Sequence, residues 1–407
     1  MATLRSINQN DLRNHNLSVV LETMMRRTTP LSRADLAKET GLTKATMSLL
    51  VSLLIDNRIV REGMPIVQSV YGRPSTPLLV AGGAMCGIGI QINTDGYGYL
   101  VLDLDGSVVA ERWVEGDLHG ADTKAVFDDL DVMLRAQERT LRKHGYTIAG
   151  AGLALPGLVT EEGHLIVARN LGWEDVDLNE QALMRRLDVI AGNESNMAAV
   201  AQLPGYATQR ADEGVVGPNG SFLYISTDIG IGGAVVRGGS LVHGDRGFAG
   251  EVGHISVQMD GPLCRCGRRG CVEAYAGRRA IVEAAGIAHG ADAASQESVD
   301  EFFRRAQAGD ARVLEVMDRA MRAIESMIVS IVNVSDLDVV VLGGAWAQLD
   351  DARLRAMERH VQDRILARDV VHVRVSRAGG GARPALLGAA VTGLRRFVDE
   401  PLAYLKS

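Results

Sequence analysis

Leu17, Val20, Leu21 and Met24 recur at three- and four-residue intervals in NLSVVLETMMRRTTP. That spacing predicts an amphipathic helix over 16–27, ended by Pro30. Ser32 with Asp35 three positions on has the form of a capping box, and Leu36 and Ala37 carry a second helix to Gly41. Thr43 opens a third helix whose apolar positions are Met47, Leu50, Val51 and Leu54. Two short helices joined through a glycine and followed by a third match the helix-turn-helix pattern. The stretch IVREGMPIVQSVYGRPSTPLLV then alternates two β-rich runs around a loop, the pattern of a wing. Residues 1–80 therefore read as a winged helix-turn-helix domain.

Beyond residue 80 the period changes. MCGIGIQINTDGYGYLVLDLDG (85–106) and FLYISTDIGIGGAVVRGGSLVHG (222–244) each predict a strand, a Gly- or Asx-rich turn and a returning strand. Helical patterns follow at 121–144, 276–288 and 298–330, with apolar strands at 148–155, 187–191 and 337–342. Strands alternating with helices predict α/β layers, and the repeated hairpin predicts two related lobes with a cleft between them. The expected lobes are 81–195 and 196–388, with the last residues, 389–407, in a helix free to return to the first.

Composition narrows the function. With 46% apolar residues and 46 glycines against 10 prolines, the chain carries large cores and tight turns. Its longest apolar stretches are too short or too broken to cross a bilayer, and MATLRSINQNDLRNHN has no apolar signal region. A soluble cytoplasmic protein with no membrane partner is expected. The net charge of −7 is unevenly spread: residues 1–80 hold 10 Lys and Arg against 6 Asp and Glu, leaving 33 against 44 for the rest. A basic N-terminal segment on an acidic body suits a polyanion such as DNA. The outward positions of the third helix, Lys44, Ala45, Thr46, Ser48, Leu49 and Ser52, are the candidate base-facing residues, with Arg33 and Thr43 before them. Arg73 in the wing is placed for phosphate or a minor groove. A leucine at 49 is unusual for such a helix: it meets a thymine methyl or packs on a neighbouring chain.

Three of the four cysteines crowd into HISVQMDGPLCRCGRRGCVEA (254–274). A disulfide between Cys264 and Cys266 would be badly strained, and pairing Cys266 with Cys271 leaves Cys264 idle. His254, Cys264, Cys266 and Cys271 are four ligands of the types zinc prefers, and a closed four-ligand site is structural rather than catalytic. Reduced, packed cysteines are the alternative. An iron–sulfur cluster would want a fourth thiolate, and Cys86 lies in a distant strand.

The order of motifs resembles the ROK family, which includes sugar kinases and sugar-responsive repressors on an actin-like two-lobe fold. ALPGLVTEEG (154–163), NLGWEDVDL (170–178), AGNESNMAAVA (191–201), GFAGEVGHISV (247–257), CRCGRRGCVEAYAG (264–277) and VVLGGAW (340–346) carry the resemblance across most of 85–390. A winged helix fused to this body is similar to the family's transcriptional repressors. The resemblance implies a His/Cys3 zinc site at the four ligands above and sugar contacts at Asn193, Glu194, Glu251, His254 and Glu273. It also implies a phosphate-binding turn of the form D-x-G-G-T-K, and here the sequence departs. Gln91 replaces the Asp, Asn93 and Thr94 replace the two glycines, and Asp95 adds a negative charge. Glu194 stands where the family has Asp. The later loop, Thr227–Gly233, stays glycine-rich.

The sugar-holding positions are kept and the first phosphate turn is degraded, so no enzymatic activity is expected. The expectation is a sugar-responsive DNA-binding regulator, in the sense of a repressor: a homodimer or homotetramer on a palindromic operator, with a sugar or sugar phosphate as effector. An active ATP-dependent sugar kinase with a fused DNA-binding module, and a regulator controlled by a protein partner, are the alternatives.

Overall fold

The computed structural model describes residues 8–27, 29–65, 76–203, 216, 220–227, 229–290 and 292–406. The chain divides into two compact units, Met1–Pro218 with Ala382–Ser407, and Asn219–Gly381.

The first unit opens with three helices. Helix α1 (Gln9–Met25) starts earlier than its apolar spacing predicts, because Asn8 and Asp11 form a capping box ahead of a polar, exposed first half. Helix α2 (Arg33–Thr40) begins at the Ser32–Asp35 capping box and ends at Gly41, whose φ of 72° is the left-handed value glycine supplies. Helix α3 (Lys44–Asp56) is capped by Thr43 and buries Met47, Leu50, Val51 and Leu54. The strands Val60–Glu62 and Pro77–Val80 pair antiparallel as the wing, with Leu31–Ser32 on the other side of the second strand. Arg73 lies outside the described residues.

The same unit contains a five-stranded sheet. Its order is Val189–Asn193, Thr147–Leu155, Met85–Asn93, Gly96–Asp103, Val108–Glu115, with the first three parallel and the last two antiparallel to their neighbours. The helix Pro384–Asp399 lies against it at a distance only glycine permits: a Cβ on Gly89 would stand 2.2 Å from the Leu386 carbonyl oxygen. Helix Glu194–Val200 packs on that same helix, where a Cβ on Gly388 would meet the Met197 carbonyl oxygen at 1.7 Å.

These contacts correct the expected division. Residues 196–203 stay with the first unit because Glu194–Val200 is packed there, so the boundary falls at 218/219 rather than 195/196. The returning segment begins at Ala382 rather than 389. The winged helix is not an isolated domain either. Leu17, Leu21, Leu36 and Leu54 share one apolar core with Leu102, Leu386, Leu394 and Phe397.

The second unit repeats the same topology. Its strands run in the order Arg374–Arg377, Val339–Leu342, Phe222–Ser226, Gly232–Arg237, Ser240–Leu241, again three parallel followed by an antiparallel hairpin. Identical strand order in two halves of one chain is the internal duplication of an actin-like body. The helical pattern over 298–330 is two helices, Gln296–Gln307 and Ala311–Ser335, separated at Gly309 (φ 83°) and restarted by the Asp310 cap. Trp346 is fully buried there and donates its indole N–H to the Ala276 carbonyl at 2.8 Å.

Candidate functional site

In the second unit a tight loop brings the three cysteines back onto His254. The short bridges Ser256 with Cys271 and Leu263 with Arg269 fold the loop as a knuckle. Cys264 N–H donates to the Arg268 carbonyl at 2.7 Å and Gly267 N–H to the Cys264 carbonyl at 3.0 Å. Gly270, at φ 71°, is required: a Cβ there would stand 1.6 Å from the Gln258 carbonyl oxygen. The ligand atoms of His254, Cys264, Cys266 and Cys271 all lie within 4.8 Å of one another. Cys266 Sγ and Cys271 Sγ are 3.7 Å apart and unbonded. One imidazole and three thiols converging this closely fit a tetrahedral soft-metal site, and the cluster can hold a metal ion.

Without metal, burial pushes the Cys271 thiol up to about 12 and raises Cys264 as well. Burial also acts to raise Cys266, but the Arg268 backbone N–H and the neighbouring thiols outweigh it and hold that thiol below its ordinary value. A metal therefore has to displace protons from these thiols.

The knuckle also positions carboxylates. His254 closes the short helical turn Val252–His254, directly after Glu251. Its Nδ1 faces Cys264 Sγ at 3.8 Å and its Nε2 faces Glu251 Oε2 at 3.9 Å, so the two ring nitrogens serve opposite sides. Glu273 begins the helix Glu273–Ala276 two residues after Cys271, and its Oε2 accepts the Ile231 N–H at 3.0 Å. The surrounding protein raises the Glu251 carboxyl above its ordinary value, although the side chain is 45% exposed; the His254 ring opposes that rise and the Glu273 charge adds to it. Two carboxylates and an imidazole held at one edge of a metal knuckle offer acceptors and a donor to hydroxyl groups.

In the first unit Asn193 ends a parallel strand and caps the helix Glu194–Val200. Its Oδ1 accepts the Ser195 N–H at 2.7 Å, and its Nδ2 donates to the Gly157 carbonyl at 2.8 Å. Glu194 occupies the first turn. Ligand sites in parallel sheets form at these carboxyl ends of the strands.

Gln91 lies near the same end of the sheet, paired through Ala154 with Gly192. It is 5% exposed and its Oε1 has no hydrogen-bond partner among the described residues. In the turn after it, Asn93 Oδ1 accepts the Thr94 N–H at 2.8 Å, and the Thr94 carbonyl accepts the Leu118 N–H at 3.0 Å. A backbone N–H that a glycine turn would offer to phosphate is thus taken by a side chain. Thr227 of the second hairpin is buried, holding Gly343 and Trp346 through its hydroxyl; Asp228 lies outside the described residues.

On α3 the side chains of Lys44, Ala45, Ser48, Leu49 and Ser52 are exposed and Thr46 is half-buried against Thr43. Leu49 is 73% exposed. Arg33 does not point away alone: its guanidinium is paired with Glu62 of the wing. The sequence pattern gave no sign of that pair, nor of Asn57 and Lys406. There, Lys406 N–H donates to Asn57 Oδ1 at 2.8 Å and Asn57 Nδ2 donates to the Lys406 carbonyl at 3.1 Å, tying the end of α3 to the C-terminal tail.

The ROK family model matches residues 88–395, more than half of the chain. The chain belongs to the ROK family. This ROK protein is 26% identical over 352 residues to the xylose repressor of Bacillus subtilis, covering 86% of this chain and 87% of that one. It is 28% identical to a putative xylose repressor of a Caldicellulosiruptor species, with 96% of each chain covered. In fold it is similar to a solved ROK family transcriptional regulator, a homologue of the E. coli MLC protein, with a TM-score of 0.75 at 20% identity, over 96% of this chain and 98% of that one. The architecture is accordingly a winged helix-turn-helix joined to an actin-like ROK body. Among the described residues no helix is long and apolar enough to cross a membrane.

Proposed function

We propose that this ROK protein is a sugar-responsive transcriptional repressor of the cytoplasm. Its winged helix binds a palindromic operator as a homodimer or homotetramer, and a sugar or sugar phosphate bound by the ROK body changes operator affinity. The observation that carries this reading is the union, in one chain, of an exposed helix α3 with a ROK body whose first hairpin has Gln91, Asn93 and Thr94 in place of a carboxylate and two glycines. Gln91 supplies no charge for a metal–nucleotide complex, and Asn93 fills the N–H that a phosphate oxygen would need. Kinase chemistry is therefore not assigned.

The sugar contacts we assign are Asn193, Glu194, Glu251, His254 and Glu273. The metal is assigned as zinc, held by His254, Cys264, Cys266 and Cys271; it folds the knuckle and orients His254. When bound it would supply structural stability rather than an open coordination position. DNA contacts are assigned to Thr43, Lys44, Ala45, Thr46, Ser48, Leu49 and Ser52, with Arg73 from the wing. Arg33, paired with Glu62, is placed to steady the wing.

The two relatives above are named for xylose, so aldopentoses head the effector panel. Thermal unfolding of zinc-loaded protein tests the assignment: a sugar at 100 times its Kd stabilises by about 2.7 kcal/mol. A single sugar that raises Tm in the wild type and not in Glu251→Ala supports the pocket. No shift from any aldose, ketose or sugar phosphate counts against sugar control.

A further inference from the structure

Between Lys44 in its first turn and Asp56 at its last position, the exposed face of α3 carries no side chain that reads a guanine, adenine or cytosine by paired hydrogen bonds. Ala45, Ser48, Leu49 and Ser52 follow one another at three- and four-residue spacing and all four are exposed, while Met47, Leu50, Val51 and Leu54 are buried behind them. From Leu42 to Ile55 the one charged side chain is Lys44, in the first turn, and there is no Asn, Gln, Arg, Asp or Glu. Guanine is ordinarily read by Arg or Lys on O6 and N7, adenine by Asn or Gln on N6 and N7, and cytosine by an acidic acceptor at N4. The serines accept or donate at any base, so they discriminate little.

What remains is apolar contact. Leu49, 73% exposed in the middle of this face, keeps a branched aliphatic group in water. The thymine C5-methyl is the apolar group that the major groove offers to it. Lys44 and the positive end of α3 suit the flanking phosphates, and the one carboxylate on this face, Asp56, stands at the opposite end of the helix.

Resting on the DNA-binding reading above, we infer that this protein reads its operator half-site through thymine methyl groups, with Leu49 the specificity-determining residue and Ala45 beside it. Specificity then depends on a methyl group rather than on a base-pairing edge. A cytosine carrying a 5-methyl group presents the same apolar feature as thymine at that position.

The test starts from random-sequence duplexes selected with full-length, zinc-loaded protein, both without sugar and with a mixture of aldoses. The selected duplex is then remade with deoxyuridine in place of each thymine in turn. One or two thymines per half-site should each lose about fourfold in affinity without their methyl, the factor one buried methyl contributes. Replacing such a T·A pair by C·G should weaken binding, and 5-methylcytosine at that position should recover part of the loss. In Leu49→Ala, whose exposed position leaves folding intact, the deoxyuridine penalty should fall towards one while preference over random duplex persists. Wild-type binding indifferent to every deoxyuridine, or a penalty unchanged in Leu49→Ala, overturns the inference. A shift of oligomeric state in Leu49→Ala with the penalty intact also overturns it, assigning the leucine to a contact between chains. No enrichment with or without aldoses would instead remove the DNA-binding reading itself.

Discussion

His254 Nδ1 lies 3.8 Å from Cys264 Sγ, which leaves the other ring nitrogen, Nε2, facing Glu251. One imidazole thus joins the metal knuckle to the proposed sugar contacts, and the two roles can be separated by substitution. Glu251→Gln should keep a full complement of zinc, measured by metal analysis of the purified protein, and weaken sugar binding by about 10- to 100-fold, the cost of losing one charge-assisted hydrogen bond. His254→Ala should lose both. Equal zinc loss in the two variants would break the proposed division of labour.

Thiol reactivity gives an independent count. Cys86 is fully buried, with its thiol pushed up to about 12 by burial and by the charge of Asp103. Zinc-loaded native protein should therefore react with a thiol reagent at no cysteine. Chelation should unfold the knuckle that buries Cys264 and Cys271 and so expose three thiols, and denaturation the fourth. Because Cys264 and Cys271 are protonated when metal-free, reloading should release protons into a weakly buffered solution near pH 7. Three reactive thiols before chelation would mean that the knuckle carries no metal.

Glu273 is held by the backbone of the neighbouring hairpin. A Cβ on Gly230 would stand 2.3 Å from Glu273 Oε2, the atom that accepts the Ile231 N–H. The carboxylate is the mobile end of a side chain, so Gly230→Ala should cost less than about 1 kcal/mol of stability while displacing it. The expected result is a near-normal Tm with sugar affinity reduced about tenfold, read by calorimetry. A normal affinity would remove Glu273 from the sugar contacts.

The tail is tied to the recognition helix. Asn57 and Lys406 exchange two hydrogen bonds, Leu402 N–H donates to Asn14 Oδ1 of α1 at 3.0 Å, and Tyr404 donates to the Ala149 carbonyl at 2.6 Å. Asn57→Ala should destabilise by about 1 kcal/mol, the net worth of such bonds. Deleting 401–407 should lower DNA affinity while leaving zinc content and sugar binding unchanged. Loss of sugar binding in the truncation would contradict this assignment.

Much of this was legible in the sequence wherever the signal was local. The Ser32–Asp35 box, Gly41 and the apolar spacing of α3 specify the recognition helix because each acts within a few residues. The His254, Cys264, Cys266 and Cys271 cluster was visible as a spacing. What escaped depended on distant partners or on missing apolar periodicity. The polar start of α1 offered only its Asn8–Asp11 box, the break at Gly309 interrupts an apolar pattern that runs through it, and the strands His164–Ala168 and Trp173–Asp177 carry no strong alternation. Asn193, whose amide is occupied by Ser195 and Gly157, and Arg33, paired with Glu62, show that residue type alone does not reveal which groups are already engaged.

Restoring the family carboxylate at one position should not restore a kinase. Gln91→Asp leaves Asn93 and Thr94 in the turn, so ATP turnover in the presence of any aldose should stay at background in a coupled assay. Measurable turnover would show that the first hairpin still accepts phosphate.

The most direct measurement is fluorescence anisotropy of a labelled selected duplex and of its shuffled counterpart, each titrated with zinc-loaded protein and then with individual aldoses, D-xylose first. The proposed function predicts tight binding of the selected duplex alone and a change in Kd of about 5- to 150-fold on adding one sugar, absent in Glu251→Gln. Equal affinity for both duplexes, or an operator affinity that no sugar alters, would contradict it.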